Sequence, residues 1–171
     1  MYQTVIMSLV AVFGLAACGG HGTGPVSTDV AQDYCRDICE HDATCDPTTT
    51  ETLEVCTADC VAEVSGFRED AFVDVASCVA AQACDASNDL CLAECTPTNA
   101  HERWEARCRT RVVECGTDNP ADCITSGPSD AGILCLLTPS VMDDLTACWD
   151  QECMAIDACM GAVLDAAGID L

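Results

Sequence analysis

Seventeen of the 171 residues are Cys, and four of them form two matched pairs, Cys35-x3-Cys39 and Cys56-x3-Cys60. Thiols at this density can hold a soft metal, exchange with other thiols, or cross-link the chain. No C-x2-C occurs, which excludes thioredoxin-type redox motifs and zinc ribbons. Reducing compartments keep thiols free, so so many Cys in so short a chain indicate an oxidising compartment and a disulfide framework. Residues four apart lie one turn apart on one helix face. Two such helices folded back antiparallel bring outer Cys to outer Cys, which predicts Cys35–Cys60 and Cys39–Cys56. The other partners, Cys45, Cys78, Cys84, Cys91, Cys95, Cys108, Cys115, Cys123, Cys135, Cys148, Cys153 and Cys159, are also read as disulfide Cys, with their pairing left open.

Other chemistry is sparse. His41, between Cys39 and Cys45, could join a thiolate metal site, but oxidised sulfurs do not ligate as thiolates, so no metal or cofactor is expected. His101-Glu102 lacks the second His of H-E-x-x-H and is read as the start of a helix. Asp85 to Asp89 has the acidity of a calcium loop without its Gly at the sixth place or Glu at the twelfth. No phosphate loop or G-x-S-x-G is present, so a non-enzymatic protein is expected. With 29 acidic residues against six Arg, the formal charge is -23, which excludes nucleic acid as a main partner. Four of those Arg fall between 103 and 111. On a helix, Arg103, Arg107 and Arg111 make a stripe with Glu114, and Arg109 can pair with Glu105. An ion-paired face is expected, with an anion or partner contact as the alternative.

The elements that must position these Cys are helices, because apolar residues and Cys recur at three and four from Asp29 onward. The fold class is all-α: disulfide-stapled helical hairpins or a bundle in two related halves. Helix one is expected at 29–45, capped by Asp29 with Gln32. Helix two is expected at 49–65, capped by Thr48 with Glu51. Further helices are expected near 71–83, 87–95, 101–115, 133–137, 139–149 and 151–167, with a loop over 116–129. Asp74-Val75-Ala76-Ser77-Cys78 is echoed by Asp144-Leu145-Thr146-Ala147-Cys148, and the next two Cys follow at similar spacing. The units are set at 29–96 and 97–171. Aromatic residues are few, so disulfides are expected to take the place of a large apolar core.

Residues 5–17 are an apolar run of signal-peptide length, and Leu15-Ala16-Ala17-Cys18 after it resembles a bacterial lipobox. The resemblance implies a signal peptide over 1–17, cleavage before Cys18, and acylation of Cys18 as the lipid anchor. Gly19 at the next position is similar to Gram-negative lipoproteins sorted to the outer membrane. Residues 18–28 are read as acylated Cys and flexible tether, with His21 a solvated residue in it. The C-x3-C pairs resemble small mitochondrial import chaperones in geometry only. As a whole, the chain resembles Cys-rich lipoproteins of myxobacteria and related bacteria. That resemblance implies a non-enzymatic outer-membrane lipoprotein on the periplasmic or cell-surface side, with a structural or binding role and an unknown protein or envelope partner. The alternative is a thiol-reactive or metal-handling envelope protein with some Cys kept reduced.

Overall fold

A computed structural model describes residues 22–86, 89–93, 95–117, 119–125 and 130–169. Cys18, His21 and the apolar run before them lie outside the described residues. Among the described residues the protein is all-α, with eight α-helices: α1 (Thr28–Cys45), α2 (Leu53–Glu63), α3 (Glu69–Ala81), α4 (Asp89–Leu92), α5 (Asn99–Cys115), α6 (Asp130–Leu134), α7 (Pro139–Cys148) and α8 (Ile156–Ala166).

Helix ends follow local chemistry more closely than the sequence patterns suggested. α1 begins after Ser27, not at Asp29, and its buried stripe is Ala31, Cys35 and Cys39 at four-residue steps. α2 starts later than expected because Thr52, not Thr48, accepts a hydrogen bond from Val55 N. Thr48 turns back onto Asp46 and so belongs to the loop. Asp46 is held below its usual carboxylate range by the Thr48 hydroxyl and backbone N–H. Of the helix expected over 87–95 the described residues hold α4, and the last helix begins only at Ile156, after a 3-10 turn over Cys153–Ala155.

The stretch read as a flexible tether is docked from Gly22 onward. The Gly22 and Gly24 carbonyls accept from Asp70 N and Glu69 N at 3.1 and 2.9 Å, and Val26 N donates to Phe67 O at 2.9 Å. A helix leaves its first backbone N–H groups without intrahelical partners, and here the preceding chain supplies acceptors for those of α3. Ser27 N and Oγ both donate to Glu69 Oε2.

Eight disulfides hold the helices: Cys35–Cys60, Cys39–Cys56, Cys45–Cys84, Cys78–Cys91, Cys95–Cys135, Cys108–Cys123, Cys115–Cys153 and Cys148–Cys159. The first two link α1 to an antiparallel α2, with Cα atoms 5.8 and 6.0 Å apart. Among the described residues, no bridge joins a Cys from Cys35 to Cys91 to one from Cys95 onward. Cys95, assigned to the first unit on sequence, is therefore covalently part of the second.

Counted within each group of eight, the pairing is the same: first with fifth, second with fourth, third with seventh, sixth with eighth. Eight Cys can pair in roughly a hundred ways. The packing follows suit: α1 packs on α3 and α3 on α4, as α5 packs on α7 and α7 on α8. The counterpart of α2 is the broken stretch holding a 3-10 turn (Pro120–Asp122) and α6.

The two halves have unequal cores. Trp104, Val112, Leu137, Met142, Leu145, Trp149 and Ile156 build the second, with the Trp rings 5.9 Å apart. The first is smaller, with Ala31, Cys35, Val64, Phe72 and Ala76. Disulfides thus replace apolar volume mainly in the first half, and the second half has a substantial core of its own. Phe67 packs against both.

Candidate functional site

The residues singled out from sequence do not converge on one site. Each Cys from Cys35 to Cys159 is distributed over the disulfide skeleton. His41 lies on the α1 turn before Cys45, its Nε2 3.4 Å from Cys45 Sγ, but that sulfur is bonded to Cys84. Among the described residues, no group of three or more His, Cys, Asp and Glu side chains is placed to hold a metal ion. No helix among them is long and apolar enough to cross a membrane.

The Arg residues of α5 meet carboxylates of other elements and of α5 itself in equal number. Arg103 pairs with Asp143 at 2.5 Å and Arg107 with Asp150 at 2.5 Å, while Arg109 and Arg111 pair with Glu105 and Glu114 on α5 itself. Arg111 Nε and Nη2 also donate to Trp149 O and Gln151 O. The stripe is an ion-paired seam between α5 and the α7 end of the second half. Exposed pairs of this kind contribute only about 0–1 kcal/mol each.

His101 does not start its helix. It is the third residue of α5, fully buried, and closes a capping box with Thr98. Thr98 N donates to Nδ1 at 3.0 Å, so Nδ1 must be unprotonated, and Nε2–H donates to Leu134 O at 2.9 Å. Burial pushes the imidazole below its usual range, and the Arg68 guanidinium acts in the same direction. The Leu134 carbonyl, Glu105 and Asp70 pull the other way. His101 is a neutral strut.

The feature that sequence reasoning missed is Arg68, a basic residue just before α3 that is 3% exposed. Its Nη2 donates to Thr96 O and contacts Cys95 Sγ at 3.6 Å, fastening the first half to the start of the second. Its Nε lies 3.4 Å from Asp70 Oδ1, an ion-pair distance at which neither atom makes a hydrogen bond. Burial lowers the guanidinium from its usual range, offset by Asp70 and then Asp74. Arg stays charged even so, because its unperturbed value is so high.

Arg68, Asp70, Asp74, Ser77 and Thr96 border a cavity of about 460 Å³ that the bridged Cys78 and Cys91 also line. The wall offers a buried donor and acceptor of opposite charge, an arrangement that can hold water or a small polar molecule by paired hydrogen bonds. A second, shallower hollow between α1 and α2 is more apolar, bordered by Leu53, Ala58 and Val61. In sequence, Arg68 is one cation in an acidic stretch, and only its burial distinguishes it.

Fold and site together define an all-α, disulfide-stapled protein of two similarly cross-linked halves. No family model, curated protein or solved structure matches the chain.

Proposed function

We propose that this is a lipid-anchored protein of the bacterial outer membrane whose acidic helical ectodomain is a non-enzymatic, disulfide-held body with a structural or binding role. The observation that carries the reading is the sulfur accounting. Each of the Cys from Cys35 to Cys159 is paired with another, which leaves Cys18 no partner within the chain. An odd thiol in an oxidising compartment is open to unwanted pairing, and acylation of the lipobox sulfur removes it. Buried methylenes contribute roughly 0.8 kcal/mol each, and two or more acyl chains make attachment lasting. Gly19 and the likeness to myxobacterial Cys-rich lipoproteins support the outer membrane as the destination.

The docking of Gly22 gives this reading a geometry. The chain from Cys18 to Gly22 spans at most about 14 Å when fully extended. The ectodomain then rides close to the bilayer, with the N-terminal end of α3 on the membrane side.

Labelling cells with a palmitate analogue tests the anchor. Label should be incorporated into the wild type and lost in Cys18→Ser, and label that survives the substitution overturns the reading. Thiol titration of the denatured mature protein separates the alternative. Close to zero free thiols supports a fully oxidised body, and two or more favour a thiol-reactive or metal-handling protein.

A further inference from the structure

We propose that Cys45–Cys84 is the bridge through which this protein exchanges with an external dithiol, with His41 stabilising Cys45 as the departing sulfur. The inference goes beyond the lipid-anchored reading, because it concerns what a fully oxidised ectodomain does when it meets a reductant.

Burial selects the candidate. Six of the bridges have at least one buried Cys: Cys35, Cys39, Cys91, Cys135, Cys148, and both ends of Cys108–Cys123. Cys45–Cys84 and Cys115–Cys153 do not; in each, the first Cys is half-buried and the second exposed. They are counterparts, the third-to-seventh pair of either half. An attacking thiolate can therefore reach Cys84 or Cys153 without opening a core.

What distinguishes the two is the residue one turn before the half-buried Cys. Before Cys45 stands His41, with Nε2 3.4 Å from Sγ. Before Cys115 stands Arg111, whose Nε, Nη1 and Nη2 are directed to Trp149 O, Glu114 and Gln151 O rather than to the Cys115 sulfur. Exchange is faster when the leaving sulfur is stabilised as a thiolate, and an imidazole N–H within hydrogen-bond reach does this. His41 also offsets the unfavourable position of a thiolate at the negative C-terminal end of α1.

The exchange balances as follows. A thiolate of the dithiol attacks Cys84 Sγ, the Cys45–Cys84 bond breaks, and its electron pair leaves on Cys45 Sγ, which accepts a hydrogen bond from His41 Nε2–H and is then protonated from solvent. The second thiol of the dithiol then displaces Cys84 from the mixed disulfide. The protein gains two thiols, the reagent becomes a cyclic or intramolecular disulfide, and the two protons of the dithiol replace those taken up by the protein. The acidic surface disfavours anionic thiols, so the natural partner is an uncharged or basic dithiol.

The test uses the mature protein, limiting dithiothreitol under native conditions, timed alkylation and peptide mapping. Cys45 and Cys84 should be the first residues alkylated, about ten-fold ahead of Cys115 and Cys153. His41→Ala and His41→Gln should each remove that lead while leaving the Cys115–Cys153 rate unchanged, with helicity checked by circular dichroism. Equal opening of the two surface bridges, or a lead that survives both substitutions, overturns the proposal. Because resting thiol content and lipid labelling are measured separately, its failure would not be confused with failure of the anchor.

Discussion

Phe67 and Leu137 face each other across an antiparallel bridge, and each holds in its own half the position the other holds in its half. The same 70-residue offset superposes Cys78 on Cys148. The flanking hydrogen bonds are reciprocal: Arg68 N donates to Leu136 O at 2.7 Å, and Thr138 N donates to Gly66 O at 3.1 Å. This is the signature of a self-complementary two-fold contact, ordinarily made between two identical subunits and here made within one chain. Of the two, Phe67 packs against both cores and Leu137 against the second.

If the halves are covalently separate, a cut engineered between Leu92 and Cys95 should yield two fragments on a non-reducing denaturing gel. Peptide mapping should find the first-to-fifth, second-to-fourth, third-to-seventh and sixth-to-eighth pairs in each fragment. A single uncut-size band would mean that some bridge crosses between the halves.

Gly66 has no room for a side chain. A Cβ there would lie 2.7 Å from Ile169 Cδ1 and 2.9 Å from the Ala167 carbonyl, and the carbonyl is backbone that cannot turn aside. Gly66→Ala should therefore cost about 1–3 kcal/mol as an overpacking change. Urea denaturation of the oxidised protein measures it, and a loss under about 0.5 kcal/mol would show that the chain end docks loosely.

His101 gives stability a pH dependence of known sign. Its folded-state value is lowered by burial, so as pH falls below the ordinary histidine value of about 6.5 the unfolded chain takes up a proton that the folded one resists. Stability should be independent of this group above that pH and should decline below it, until the folded-state value is reached. Comparing denaturation midpoints between pH 7.5 and 5.5 for wild type and His101→Gln isolates the effect. The wild type should show the steeper decline, and parallel profiles would place the titration elsewhere.

Arg68→Met keeps the volume but strands Thr96 O without its donor and Asp70 without its cation. A loss of about 2–3 kcal/mol is expected, kept moderate because Asp70 is a third exposed and can be hydrated. Asp70→Asn in the same chain should recover part of that loss, which a double-mutant cycle reads directly. Additive losses would show that the 3.4 Å pair is not energetically coupled.

The helical class and the first hairpin were legible in the sequence because both rest on periodicity. Cys35, Cys39, Cys56 and Cys60 lie on faces set by 3.6 residues per turn, and antiparallel packing leaves one way to match two pairs at equal spacing. The echo around Cys78 and Cys148 was legible for the same reason. The caps were less so: Thr48-x2-Glu51 has the right letters, but Thr52 won because its oxygen reaches Val55 N, whereas Thr48 was already engaged by Asp46.

Sequence alone therefore determined the all-α class, the acidic composition and one nested pair of bridges, all of which follow from composition or from contacts within two adjacent helices. Tertiary structure decided the rest. Whether Cys95 belongs with Cys91 or Cys135, whether Gly22 and Gly24 are tether or cap, and whether Arg68 is a surface cation or a buried clamp depend on which distant segments meet. Such meetings are set by shape and by the need to satisfy backbone groups at the ends of α3 and α7. A one-dimensional pattern does not encode them position by position.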